Sequence, residues 1–394
     1  MLENLTPQPP DKIIMLSAMF REDKRDSKID LGVGVYKDAN GNTPIMRAVK
    51  KAEQLLWNEE TTKSYTALVG DGAFHKVIAD LVLGDSVSYD RLAFAHAPGG
   101  TGAIRQILEL IKAASPGATV WMSNPTWPNH PAMVKGVGIP METYTYLDME
   151  TRTVDFDGMM ENLADVKSGD VVILHGCCHN PTGANLNQMQ WCEVADLLNE
   201  KGAVPFVDIA YQGFGDGLDE DAFGVRLLAQ KCPEMLIAAS CSKNFGIYRE
   251  RCGLVITLSK DVENTALAQG MLSSLNRLNF SFPPDHGARL VTIVLSDTKL
   301  RADWEAELEE VRNGMLNLRK ILADALRTTT GSDRYDFVAE HRGMFSRLGL
   351  SKEQVVQLRE EHAIYMIDDS RFNVAGLNEK VVPILAKAIV AVGG

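Results

Sequence analysis

The stretch Met235-Leu236-Ile237-Ala238-Ala239-Ser240-Cys241-Ser242-Lys243-Asn244-Phe245-Gly246-Ile247-Tyr248-Arg249-Glu250-Arg251-Cys252-Gly253 runs from apolar residues straight into a cluster of polar ones. Residues 235–239 read as a buried strand. At its end two hydroxyls, an amine and, eight residues on, a guanidinium leave together: Ser240, Ser242, Lys243 and Arg251. An amine condenses with aldehydes, and hydroxyls with a guanidinium cradle a phosphate. The pattern therefore asks for a phosphorylated aldehyde. In isolation Lys243 would read as a solvated surface lysine, since lysines are rarely buried. The Ser-x-Ser-Lys context argues against that and requires further ligand partners elsewhere in the chain.

Outward from this stretch, short apolar runs at 92–95, 119–122, 171–174, 204–207, 235–239 and 254–257 alternate with helical patterns. Ile104, Ile107, Leu108 and Ile111 fall on one helical face, as do Trp191, Val194, Ala195 and Leu198. The expected fold is α/β, with a largely parallel sheet covered by helices on both faces and ligands beyond the carboxyl ends of its strands. A long helix follows, with Trp304, Leu308, Val311, Met315, Leu318 and Leu322 on one face and a charged, solvated opposite face. Residues 344–350, a helix from Lys352, residues 364–367 and a C-terminal helix suggest a smaller α+β domain. The first forty residues, with the apolar strap Ile13-Ile14-Met15-Leu16 and the turn Gly32-Val33-Gly34-Val35, are expected to complete it. The expected division is an N-terminal arm at 1–10, a small domain from 11–43 and 311–394, and a large cofactor-binding domain at 44–310.

Composition narrows the function. A chain of 394 residues with 45% hydrophobic content can bury a large core. A net charge of −12 without a basic cluster argues against nucleic-acid binding. The N-terminus shows no export or organelle address, so a cytoplasmic location is expected. No run approaches the roughly 18 apolar residues of a membrane span. The six cysteines form no C-x-x-C pair and read as reduced, packed thiols. His175 and His179 are four apart where a strand runs into a loop, and no metal site is expected there.

Other motifs supply the missing partners. Pro98-Gly99-Gly100-Thr101-Gly102 joins a strand to a helix, where backbone N–H groups bind phosphate; by itself it is an ordinary glycine-containing turn. Asp208, in Asp208-Ile209-Ala210-Tyr211, ends a buried strand and needs a positive partner such as a protonated pyridine nitrogen; alternatively it caps a helix. Tyr211 and Asn180, the latter in Asn180-Pro181-Thr182-Gly183, are candidates to bond a phenolic oxygen. Trp127 either stacks on a ring or is simply a partly buried Trp. Aldehyde, phosphate, pyridine nitrogen and phenolic oxygen occur together in pyridoxal phosphate.

From its N-terminus to Ala391 the chain resembles the class I, pyridoxal-phosphate-dependent aminotransferases of fold type I, in their bacterial aspartate/aromatic branch. The resemblance rests on Ser240–Gly246, Asn180–Gly183, Asp208-Ile209-Ala210-Tyr211-Gln212-Gly213-Phe214 and Arg371-Phe372-Asn373-Val374-Ala375-Gly376. It implies that Lys243 condenses with the cofactor aldehyde and then moves the proton between substrate Cα and cofactor. Asp208 would bind the pyridinium with His130 behind it, and Asn180 and Tyr211 the phenolic oxygen. Gly100, Thr101, Ser240, Ser242 and Arg251 would hold the phosphate, joined by Tyr65 of a neighbouring subunit. Arg371 would grip the substrate α-carboxylate, with Gly34 and Trp127 closing the pocket. Arg277 would reach across a homodimer to a dicarboxylate's distal carboxyl.

Two departures bear on the substrate. Aspartate-specific members carry Asn immediately before the cross-dimer tyrosine and before the paired prolines; this chain has Ser64 and Phe282 there. Fewer amides around Arg277, added apolar surface and a possible lid at Ile13 and Ile14 favour an aromatic aminotransferase that also takes aspartate and glutamate, with 2-oxoglutarate as acceptor. The alternative is a strict aspartate aminotransferase in which Ser64 and Phe282 are neutral. A Schiff-base barrel aldolase would not explain the Asp208 and Arg371 pair, and a cofactor-binding regulator would need a DNA-binding segment.

Overall fold

In the computed structural model, which describes residues 1–7, 11–38 and 41–394, the six apolar runs become strands of one seven-stranded sheet. Residues 8–10 of the expected arm and 39–40 of the expected small domain lie outside the described residues. In chain order the strands are β1 (Ile29–Asp30), β2 (Leu92–Pro98), β3 (Val120–Asn124), β4 (Met141–Thr145), β5 (Val171–His175), β6 (Val204–Ile209), β7 (Met235–Ser240), β8 (Cys252–Leu258), β9 (Phe345–Arg347), β10 (Ile364–Tyr365) and β11 (Arg371–Asn373). The large sheet has the order β2-β8-β7-β6-β5-β3-β4. Edge strand β4 is the one the apolar runs did not announce, because Met141, Glu142 and Thr143 face solvent.

Neighbours are parallel except at β8, which runs antiparallel to both β2 and β7. The connection 241–251 contains only turns. A parallel return needs a longer crossover, usually a helix, so the chain doubles back. Lys243 and Arg251 thus sit in a reversal loop at the carboxyl end of β7.

Alternate side chains of the buried strands enter two different layers. Ala93, Ala95 and Ala97 pack with Ile104, Ile107 and Ile111 of the helix Gly99–Ala114. Leu92 and Phe94 face the other way, into the layer that holds Phe74, Ile78, Trp191 and Trp304. A separate core gathers Ile29, Leu31, Leu322, Leu326, Val355, Leu358, Phe372 and Ile389. There β1 pairs with β10 and β11 with β9. The 33-residue helix Thr298–Thr330 runs through both regions, giving Trp304, Leu308 and Met315 to the sheet's core and Leu322 and Leu326 to the second. The strap at 13–16 is the start of a helix, Lys12–Glu22, whose first N–H groups are capped by Asp11. Among the described residues no helix is long and apolar enough to cross a membrane.

Candidate active site

The carboxyl ends of β5, β6 and β7 and the start of the helix Gly99–Ala114 enclose a cleft of about 190 Å³. Gly34, Gly100, Thr101, Trp127, Asn180, Asp208, Tyr211, Ser240, Ser242, Lys243 and Arg251 line it.

One wall is suited to an anion. The helix Gly99–Ala114 begins without a side-chain cap, so its first N–H groups point at the cleft unmatched, with the positive end of the helix dipole behind them. Gly99 has φ +71°, and a Cβ there would lie 2.5 Å from Nη2 of Arg251. A Cβ on Gly100 would come within 3.1 Å of Cβ of Ser240. Both glycines therefore leave the backbone bare where a phosphate would approach. Opposite, the Ser242 N–H donates to Oγ of Ser240 at 3.3 Å, and Arg251 donates to the Tyr248 carbonyl at 3.0 Å and to Oγ of Ser242 at 3.5 Å.

The Lys243 amine lies 4.9 Å from the centre of the Tyr211 ring and makes no hydrogen bond among the described residues. Burial lowers its pKa below the ordinary lysine value; nearby Asp208 opposes this and Arg251 adds to it. A lysine held this way is a more available base and nucleophile than a solvated one.

Asp208 lies inside β6, directly opposite His175 of β5, and the next helix starts only at Leu218. It is therefore not a helix cap. Nε2 of His130 donates to Asp208 at 3.0 Å, since a carboxylate only accepts. In a neutral His130 ring Nδ1 then accepts from the Thr126 hydroxyl at 2.9 Å, and that hydroxyl accepts from Nε2 of His175 at 3.1 Å. Each link fixes the hydrogen position of the next. Burial pushes the Asp208 carboxyl up, but the hydrogen bond and electrostatic influence of His130, with smaller contributions from His175 and Lys243, outweigh it and hold it below the usual carboxylate value. Burial drives His175 and His179 far down, so both are neutral.

Arg371, at the start of β11, is buried and has no carboxylate partner among the described residues. It donates to the Gly32 carbonyl at 3.2 Å and to Oδ1 of Asn180 at 3.5 Å, and its guanidinium lies 4.4 Å from the centre of the Phe345 ring. Its Nε is buried with no partner. A buried guanidinium in this state calls for an incoming anion.

The model for aminotransferase class I and II matches residues 26–389. The chain is 58% identical to the aromatic-amino-acid aminotransferase of Paracoccus denitrificans over 393 residues, covering 100% of both. It is 42% identical to the aspartate aminotransferase of Escherichia coli (strain K12), again over 100% of both chains. It superposes with TM-score 0.97 and 37% identity on the aromatic-amino-acid aminotransferase from Burkholderia pseudomallei covalently bound to pyridoxal phosphate, covering 100% of this chain and 99% of that one. The chain belongs to the class I and II aminotransferases.

In this aminotransferase two of the candidate residues stand apart from the cleft. Tyr65 is 82% exposed and stacks on Phe282 with ring centres 4.5 Å apart. Arg277 is also exposed, bonds Oγ of Ser281 at 2.5 Å and lies 5.9 Å from the centre of the Phe282 ring. The three form one surface patch. Sequence reasoning had not singled out Thr126 as the link between two histidines, nor Phe345 under Arg371 and Tyr248 in the cleft lining. The four-residue spacing of Thr126 and His130 was an available signal; the register that sets His175 beside Asp208 was not. Of the described residues, Cys177, Cys178 and Asp221 group within 4.8 Å, but Asp221 already accepts from the N–H groups of Gly213, Gly215 and Asp216.

Proposed function

We propose that this aminotransferase moves the amino group of phenylalanine, tyrosine and tryptophan, and also of aspartate and glutamate, to 2-oxoglutarate, using pyridoxal phosphate in the clefts of a homodimer. The observation that carries this reading is the Lys243 amine set between a phosphate cradle and a buried carboxylate–imidazole pair, with the acid-free Arg371 bonded to Asn180 at the same cleft. The donor set fits the cofactor: bare glycine backbone and Arg251 for a phosphate, Asp208 for a protonated nitrogen, and an amine for an aldehyde. When bound, pyridoxal phosphate supplies an electrophilic carbon and a ring that draws electron density from the substrate Cα.

The chain's own residues do the rest. Ser240, Ser242, Arg251 and the N–H groups at Gly100 and Thr101 hold the phosphate dianion. Asp208, oriented by His130, keeps a proton on the ring nitrogen, while Asn180 and Tyr211 orient the phenolic oxygen and Trp127 covers a ring face. Lys243 would take the proton from the substrate Cα and deliver it to the former aldehyde carbon of the cofactor, two bonds away across the nitrogen, a task that suits an amine of lowered pKa. Arg371 takes the α-carboxylate as a bidentate pair. We assign residues 11–43 and 311–394, around the second core, as the small domain that carries Arg371 and Gly34.

Tyr65 and Arg277, exposed on their own chain, are assigned to the partner's cleft. Arg277 would pair with a distal carboxylate. Its only hydrogen-bond acceptor among the described residues is a neutral hydroxyl, so it is free to swing aside, leaving Phe282 and Tyr65 to meet an aromatic ring. The 58% identity to an enzyme named for aromatic amino acids supports this preference. Arg277 itself favours the second reading, a strict aspartate aminotransferase. A donor panel against 2-oxoglutarate decides between them. Arg277→Ala should spare phenylalanine and cripple aspartate; phenylalanine turning over at less than about a hundredth of the aspartate efficiency, a 2.7 kcal/mol gap, would make this the aspartate enzyme.

A further inference from the structure

We infer that Asn276 is a positioning residue that sets two half-sites at once: the phosphate cradle of its own cleft and the Tyr65–Arg277–Phe282 patch. The second half rests on the proposal that this patch serves the partner subunit.

Asn276 is fully buried on the helix Val262–Asn279, one residue before Arg277. Its Oδ1 accepts from Nε2 of Gln106. Its Nδ2 donates to the Leu68 carbonyl at 2.9 Å and to the His96 carbonyl at 3.0 Å. Its own carbonyl accepts from the N–H groups of Phe280, at 3.1 Å, and Ser281, at 2.9 Å, shaping the turn that offers the Ser281 hydroxyl to Arg277. Each partner leads to a site element. Leu68 belongs to the loop that carries Tyr65, His96 lies on β2 just before Gly99, and Gln106 is on the helix whose first turn holds Gly100 and Thr101. The loop is further clamped to the strand, since the His96 N–H donates to the Val69 carbonyl at 2.7 Å and a Cβ on Gly70 would lie 2.5 Å from Cβ of His96. One buried amide therefore joins a strand, a loop and two helices, and buried amide networks hold position because each unmet partner is costly.

The test uses heterodimers in which Lys243→Ala silences one cleft. Asn276→Asp keeps size and the Gln106 bond but loses both donated bonds; Gln106→Met removes the third bond and substitutes if the first variant does not fold. With Asn276→Asp on the silenced chain, the working cleft borrows an altered patch: KM for aspartate should rise about tenfold, with kcat for phenylalanine within about twofold. With Asn276→Asp on the working chain, Kd for pyridoxal phosphate, from titration of dialysed enzyme, should rise about tenfold while the aspartate-to-phenylalanine KM ratio holds. Equal changes in both arrangements, as a merely structural role would give, or no change in either, overturn the inference. Arg277→Ala on the silenced chain is the control. If it leaves aspartate KM unchanged, the cross-subunit reading fails, and the cradle half is still decided by the cofactor Kd.

Discussion

Gly99→Ala is the sharpest test of the phosphate cradle. The residue has φ +71°, a conformation that costs an L side chain roughly 1–2 kcal/mol. The new methyl would also lie 2.5 Å from Nη2 and 2.8 Å from Cζ of Arg251, so the guanidinium must move. Losing one charge-assisted hydrogen bond to the phosphate costs about 1.5–3 kcal/mol, which weakens cofactor binding roughly tenfold to a hundredfold. Titrating the apoenzyme with pyridoxal phosphate and with phosphate-free pyridoxal separates the two effects, because only the former should weaken. Gly314→Ala is the control: it lies inside the helix Thr298–Thr330 with nothing within 4 Å of the added Cβ. It should stabilise the protein by about 1 kcal/mol and leave both titrations unchanged. Equal weakening for pyridoxal, or no weakening at all, would refute the cradle.

Three further outcomes follow from the same geometry. Asp208→Asn should lower kcat about a thousandfold, roughly 4 kcal/mol, while the protein retains its cofactor; a fully active variant would contradict the pyridinium role. Thr126→Val leaves Nδ1 of His130 without its donor, so denaturant titration should show a loss of about 1–3 kcal/mol, and an unchanged midpoint would mean the hydroxyl does not serve that ring. Burial lowers the Lys243 pKa below the roughly 10.4 of the unfolded chain, so between those two values the unfolded state binds more protons and stability rises with pH. Apo Lys243→Met should therefore exceed wild type in stability at neutral pH by a margin that shrinks on alkalinisation; a constant margin would show the amine to be unperturbed.

The sequence by itself determined the layered α/β fold and pointed to the loop that carries Lys243. Strands buried on both faces must be apolar along their whole length, so β2, β3 and β5 to β8 announce themselves, and the Ser240-Cys241-Ser242-Lys243 motif is local to one loop. Edge strand β4 escaped notice because solvent on one side permits Glu142 and Thr143. The reversal of β8, the opposition of His175 and Asp208, and the gathering of Leu68, His96 and Gln106 around Asn276 were decided by tertiary structure alone. Register and packing bring together residues 208 positions apart at Asn276 and 339 apart where Arg371 meets Gly32, and a hydrogen bond at 3 Å leaves no periodicity in the chain that makes it.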